Sequence, residues 1–167
     1  GGPQAGLIVG RRDLIAKVRK HPLKRALRVS KMTLAALEAT LLAYRRPDHL
    51  VRDLPTLRQL TRPLRELQAL GQRIVPHLAR RMGAEWDAAL TDSEAQAGSG
   101  SLPDQAIPSL AIALRPRGRS GKALTALAAR LRGLPVPVIG RIKDGALLLD
   151  LRCLEDEPGF IAQLENL

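Results

Sequence analysis

Lys20, His21, Lys24, Arg25, Arg28 and Lys31 fall within twelve residues that contain no carboxylate. Arg25 and Arg28 stand three apart, so on a helix or turn they project to one side, where two guanidinium forks can clamp one anion bidentately. The same spacing also suits a solvated basic face. Other chemistry has less to build on. His21, His49, His77 and Cys153 are scattered and form no zinc-type cluster, so no metal site is expected. Gly98-Ser99-Gly100-Ser101 lacks the Gly-Lys-Ser/Thr ending of a P-loop and the G-x-G-x-x-G of a dinucleotide site, and reads as a flexible strand connection. No G-x-S-x-G elbow is present. Glu155, Asp156 and Glu157 read as favourable charge at a helix N-terminus. Cys153, beside Arg152 at the end of an apolar strand, reads as buried and inert rather than nucleophilic.

The basic surplus is unevenly placed. Residues 1–83 hold 18 Lys and Arg against 5 Asp and Glu, whereas residues 84–167 hold 9 against 11. A basic half attracts RNA phosphates, an acidic partner or an anionic substrate through its summed field. Aromatic residues are only 2% of the chain, which leaves little for bases to stack on and argues against a stand-alone RNA reader. Arg supplies 21 of the 27 basic side chains in an Ala-, Gly- and Leu-rich sequence, so part of the surplus can reflect codon composition.

The elements that must carry these residues can be read from hydrophobic period and punctuation. At 167 residues, with 45% apolar and 26% charged composition, the chain is long enough for a core and is neither fibrous nor disordered. No apolar run approaches a membrane span and no signal peptide opens the chain, so a soluble, cytoplasmic protein is expected. There is no initiating Met, and Gly1 to Gly6 reads as a turn with nothing before it, as though cut from a larger sheet. Leu7-Ile8-Val9, bounded by Gly6 and Gly10, reads as a buried strand. Helices are expected from Arg11 to Lys20, from an N-cap at Ser30 to Tyr44, from Leu54-Pro55-Thr56 onward, and from Pro63 to Met82 with a kink at Pro76 and a stop at Gly83. Beyond Gly83 the pattern becomes strand (86–95), strand (109–114), helix (118–132), strand (138–142), strand (146–151) and helix (156–166). The last two strands flank Asp144-Gly145, a strong hairpin signal. This order describes a small α+β layer domain.

Several blocks together are specific. Gly1-Gly2-Pro3-Gln4-Ala5-Gly6, His21-Pro22-Leu23-Lys24-Arg25-Ala26-Leu27-Arg28, Lys31-Met32-Thr33-Leu34-Ala35-Ala36-Leu37-Glu38 and Leu54-Pro55-Thr56 resemble, in order, the second half of the bacterial L-seryl-tRNA(Sec) selenium transferases. So do Gly98-Ser99-Gly100 with Leu102-Pro103, and Pro137-Val138-Ile139-Gly140-Arg141-Ile142 with Asp144-Gly145.

The resemblance implies an α/β fold, the C-terminal portion of a fold type I pyridoxal-phosphate transferase. Residues 1–60 would be the end of the large cofactor-binding domain with connecting helices. Residues 61–167 would be a small α+β domain with an antiparallel sheet and helices. The implied activity converts Ser-tRNA(Sec) to Sec-tRNA(Sec) with selenophosphate through an aminoacrylyl intermediate, in a cytoplasmic homo-oligomer that is decameric in the family. The family's aldimine lysine would lie just upstream of Gly1, so no catalytic residue is expected in this chain and the segment alone is expected to be inactive. Arg25 and Arg28 match the family's selenophosphate-binding arginines, with Lys24 and Arg141 as a second tier. Gly1, Gly2 and Gln4 would touch the cofactor. The alternatives are another fold type I lyase or desulfurase, whose Arg25 and Arg28 would bind a sugar-acid phosphate or a carboxylate, and a non-enzymatic basic RNA-binding module.

Overall fold

The structure is a computed structural model that describes residues 2–96, 106–118 and 121–167. Packing divides the chain into two compact units, Gly1–Arg58 and Gln59–Leu167.

In the first unit, α1 (Arg12–Lys20) ends at His21, before Pro22, whose ring supplies no amide to continue the helix. A 3-10 turn, Pro22–Lys24, follows. Ser30 then opens α2 (Lys31–Tyr44) by accepting the Thr33 amide at 3.1 Å, the bond a serine N-cap provides. After Pro47 come α3 (Leu50–Asp53) and α4 (Pro55–Thr61). These four helices bury no residue, and Leu54, between α3 and α4, is the only buried side chain among the described residues of this unit. Leu7-Ile8-Val9 is not the expected strand: its side chains are 62%, 72% and 90% exposed and no ladder forms. A strand needs a neighbour for its amides and carbonyls, and the described residues of this unit contain no other strand.

The second unit has a core. Its first complete helix, α5 (Leu64–Met82), buries Leu67, Leu70, Gly71, Ile74 and Leu78 on one stripe and runs as one helix through Pro76 to Gly83, which takes φ 70°. β1 (Trp86–Gln96) and β2 (Ala106–Pro116) pair antiparallel across their full length. The expected Gly98–Pro103 connection between them lies outside the described residues. α6 (Gly121–Arg132) follows, and β3 (Arg141–Lys143) and β4 (Ala146–Asp150) complete an antiparallel sheet of order β1-β2-β4-β3. Asp144 (φ 49°) and Gly145 (φ 70°) make the primed turn that matches strand twist in a two-residue hairpin. The expected strand from Val138 shrinks to begin at Arg141, because the Val138 amide donates instead to the Leu131 carbonyl near the end of α6. α7 (Glu157–Gln163) is capped by Asp156, which accepts the Gly159 amide, and tightens to a 3-10 turn over Leu164–Asn166.

Register separates the two faces of this sheet. Ala88 opposite Leu114, Leu90 opposite Ile112, and Leu147 and Leu149 beside them pack with Leu67, Ile74, Leu78, Leu124 and Leu131 of α5 and α6. The alternate residues, Ser93 opposite Ser109, Asp150 opposite Ala111 and Arg141 opposite Leu148, lie on the other face.

Candidate functional site

The basic segment folds into a short helical ladder. The Lys24 amide donates to the His21 carbonyl at 3.0 Å, Arg25 to Pro22 at 3.4 Å, Leu27 to Leu23 at 3.1 Å and Arg28 to Arg25 at 3.4 Å. At its head the Leu23 amide donates to His21 Nδ1 at 3.2 Å. The i to i+3 bond from the Arg28 amide to the Arg25 carbonyl closes a single turn, so the backbone brings Arg25 and Arg28 to its two ends.

The local electrostatics leave these cations uncompensated. Asp13 pairs with Arg11 and Asp53 with Arg52, each at 2.8 Å. Hydrogen bonds from those guanidinium groups hold both carboxyls below the usual carboxylate range. Lys24, Arg25 and Arg28 are exposed and have no carboxylate partner among the described residues. Two guanidinium groups carried at the ends of one turn suit a phosphate better than lysines would, because the planar fork matches two oxygens at once.

The remaining expected positions fare differently. Gly1 lies outside the described residues. Gly2 has φ 129°, and a Cβ there would stand 2.9 Å from Thr40 Cγ2 of α2, so backbone and space both demand glycine. Gln4 is exposed. Lys17, Lys20, Lys24, Lys31, Lys122 and Lys143 are all exposed too.

Arg141 belongs to the second unit, where it joins a polar network on the sheet face opposite the core. Its guanidinium donates to Ser93 Oγ at 2.8 Å and to the Glu94 carbonyl at 3.2 Å. Ser93 in turn donates to Asp150 Oδ2, and Ser109 to Asp150 Oδ1, both at 2.8 Å. These side chains, with Lys143, line an open groove of about 1030 Å³.

Sequence reading missed the most connected residue of this region. Arg152 is 4% exposed and donates to the carbonyls of Gln59, Leu60, Arg62 and Pro108. Cys153, expected to be buried, is exposed instead, because the chain turns after β4 and sends its neighbour inward. The available signal was a lone arginine following the largely apolar stretch Ala146–Leu151, where a charged side chain must find internal acceptors if it turns inward.

Comparison with known proteins bears on the whole chain. A family model described as L-seryl-tRNA selenium transferase matches residues 1–155. The L-seryl-tRNA(Sec) selenium transferase of Klebsiella pneumoniae (strain 342) is 56% identical over 164 residues, and that of Escherichia fergusonii is 55% identical over 164. Each match covers 98% of this chain and 35% of the relative, so the chain spans about a third of the length of these relatives.

Proposed function

The chain belongs to the L-seryl-tRNA selenium transferase family, and from that premise we propose that it forms the C-terminal third of an enzyme that replaces the seryl hydroxyl of Ser-tRNA(Sec) with selenium from selenophosphate. In this reading Arg25 and Arg28 hold the phosphate of the selenium donor, with Lys24 adding charge beside them. Arg141 is a second-tier anion contact. One observation carries the reading: two exposed arginines, joined by an i to i+3 backbone bond, have no carboxylate partner among the described residues, in a unit whose Asp13 and Asp53 engage other arginines.

The chemistry divides accordingly. Losing the seryl hydroxyl requires an electron sink, for which the family reading invokes pyridoxal phosphate. Gly1, Gly2 and Gln4 would touch that cofactor when it is bound. What this chain contributes is charge at the donor. Selenophosphate carries its negative charge on oxygens that a pair of guanidinium forks can engage, and that charge must stay neutralised as the selenium leaves phosphorus. The wider basic surplus of residues 1–83 would draw both a phosphorylated donor and a tRNA by long-range attraction.

The proposal further places residues 1–60 at the end of the large domain and residues 61–167 in the small domain, in a cytoplasmic homo-oligomer. The nearly coreless first unit supports this, since its exposed Leu7, Ile8, Val9, Leu27 and Met32 require cover from polypeptide beyond it. The test is phosphate binding by the full-length enzyme, titrated by calorimetry. Arg25→Ala or Arg28→Ala should weaken it at least tenfold, and unchanged affinity in both would refute the assignment.

A further inference from the structure

Residues 21–28 are all exposed, so the turn that carries Arg25 and Arg28 has no buried side chain to hold it and depends on its own hydrogen bonds. Its head is unusual in composition. Pro22 occupies the first position and supplies no amide, which makes the Leu23 amide the first free donor of the turn. His21 meets it through the ring: Nδ1 accepts the Leu23 N–H at 3.2 Å, while the His21 backbone carbonyl takes the Lys24 N–H at 3.0 Å.

We propose that His21 is a positioning residue for the anion-binding turn, acting as a side-chain N-cap that holds Arg25 and Arg28 in place. This rests on the reading of the arginine pair as the donor's phosphate site. Accepting at Nδ1 requires that nitrogen to be unprotonated, with the ring proton on Nε2. The ring never touches the anion. It fixes the first amide of the ladder, the ladder fixes the Arg28 amide on the Arg25 carbonyl, and the two guanidinium groups then need less ordering when the anion arrives. Histidine is not a favoured cap, whereas asparagine is, and it offers an oxygen to the same amide. Losing a cap shifts a local equilibrium by a factor of about 2 to 30.

The experiment compares His21→Ala and His21→Asn in the full-length enzyme that carries this segment, with Arg25→Ala and Arg28→Ala alongside. Two readouts are taken: KM and kcat against selenophosphate, and hydrogen exchange of the Leu23 amide. His21→Ala should raise KM about three- to tenfold with kcat nearly unchanged, and should speed Leu23 exchange. His21→Asn should restore both. Equal defects in the alanine and asparagine variants, or an unmoved KM despite faster exchange, would overturn the positioning role. If the two arginine variants leave KM for selenophosphate unchanged, the phosphate reading falls and takes the binding role of His21 with it. Leu23 exchange then still tests the cap separately, and exchange that is unchanged in His21→Ala would overturn the cap itself.

Discussion

Arg62 and Arg152 hold each other's backbone. The Arg152 guanidinium donates to the carbonyls of Gln59, Leu60 and Arg62, and the Arg62 guanidinium donates to those of Leu151, Arg152 and Leu154. Carbonyls at and just past the end of α4 thereby meet a cation, the charge the helix C-terminus favours. Replacing Arg152 by Met should strand these acceptors and cost about 2–4 kcal/mol of stability. Lysine should recover only part, because it keeps the charge without the fork. Urea unfolding of the chain measures this, and an unchanged midpoint in Arg152→Met would contradict the role.

Gly71 lets α5 lie close to the sheet. A Cβ at this position would stand 2.3 Å from Leu90 Cδ2 and 2.9 Å from Leu151 Cδ1. Gly71→Ala should therefore destabilise the second unit by roughly 1–3 kcal/mol despite alanine's better helix propensity. Thermal unfolding checks this, and a raised melting temperature would show that the two leucines yield freely.

Arg73 of α5 grips Glu157 of α7 through two bonds of 2.7 Å. The bonded guanidinium lowers the Glu157 carboxyl below its ordinary value. A depressed folded-state value means that the pair stabilises above the ordinary carboxylate range and ceases to do so as pH falls through the folded-state value. Glu157→Gln should accordingly melt lower than the parent at neutral pH, and the two curves should converge in acid. Because the pair is partly solvated, the difference should also shrink in high salt.

Local signals were legible in the sequence where local chemistry decides the structure. Ser30 capped α2, Gly83 ended α5, and Asp144-Gly145 formed its hairpin, each through a bond or dihedral confined to a few residues. Readings that needed a distant partner fared worse. Leu7-Ile8-Val9 has the composition of a buried strand, yet pairing depends on a neighbour that the three residues cannot specify. Arg152 was passed over because its acceptors lie more than 40 residues away in sequence. The segment at Arg25 and Arg28 was conspicuous for its missing carboxylates. The ring of His21 was not, since a cap is visible only once the turn exists.

All six lysines are exposed, so none offers the enclosed setting in which a cofactor would be held at one site. Incubating this chain alone with pyridoxal phosphate and then borohydride should label lysines substoichiometrically and without selection. One stoichiometric adduct, located by peptide mass spectrometry, would contradict that expectation.

The central claim, that Arg25 and Arg28 bind the phosphate of the selenium donor, is tested most directly by steady-state kinetics of the full-length enzyme with selenophosphate varied. Each charge-assisted contact should contribute about 1.5–3 kcal/mol. Arg25→Ala and Arg28→Ala should therefore each lower kcat/KM for selenophosphate by roughly ten- to a hundredfold. Lysine at either position should rescue only in part, and affinity for Ser-tRNA(Sec) at fixed salt should change much less. Weakened tRNA binding with an intact selenophosphate dependence would instead make the pair a contact to the RNA backbone and contradict the account.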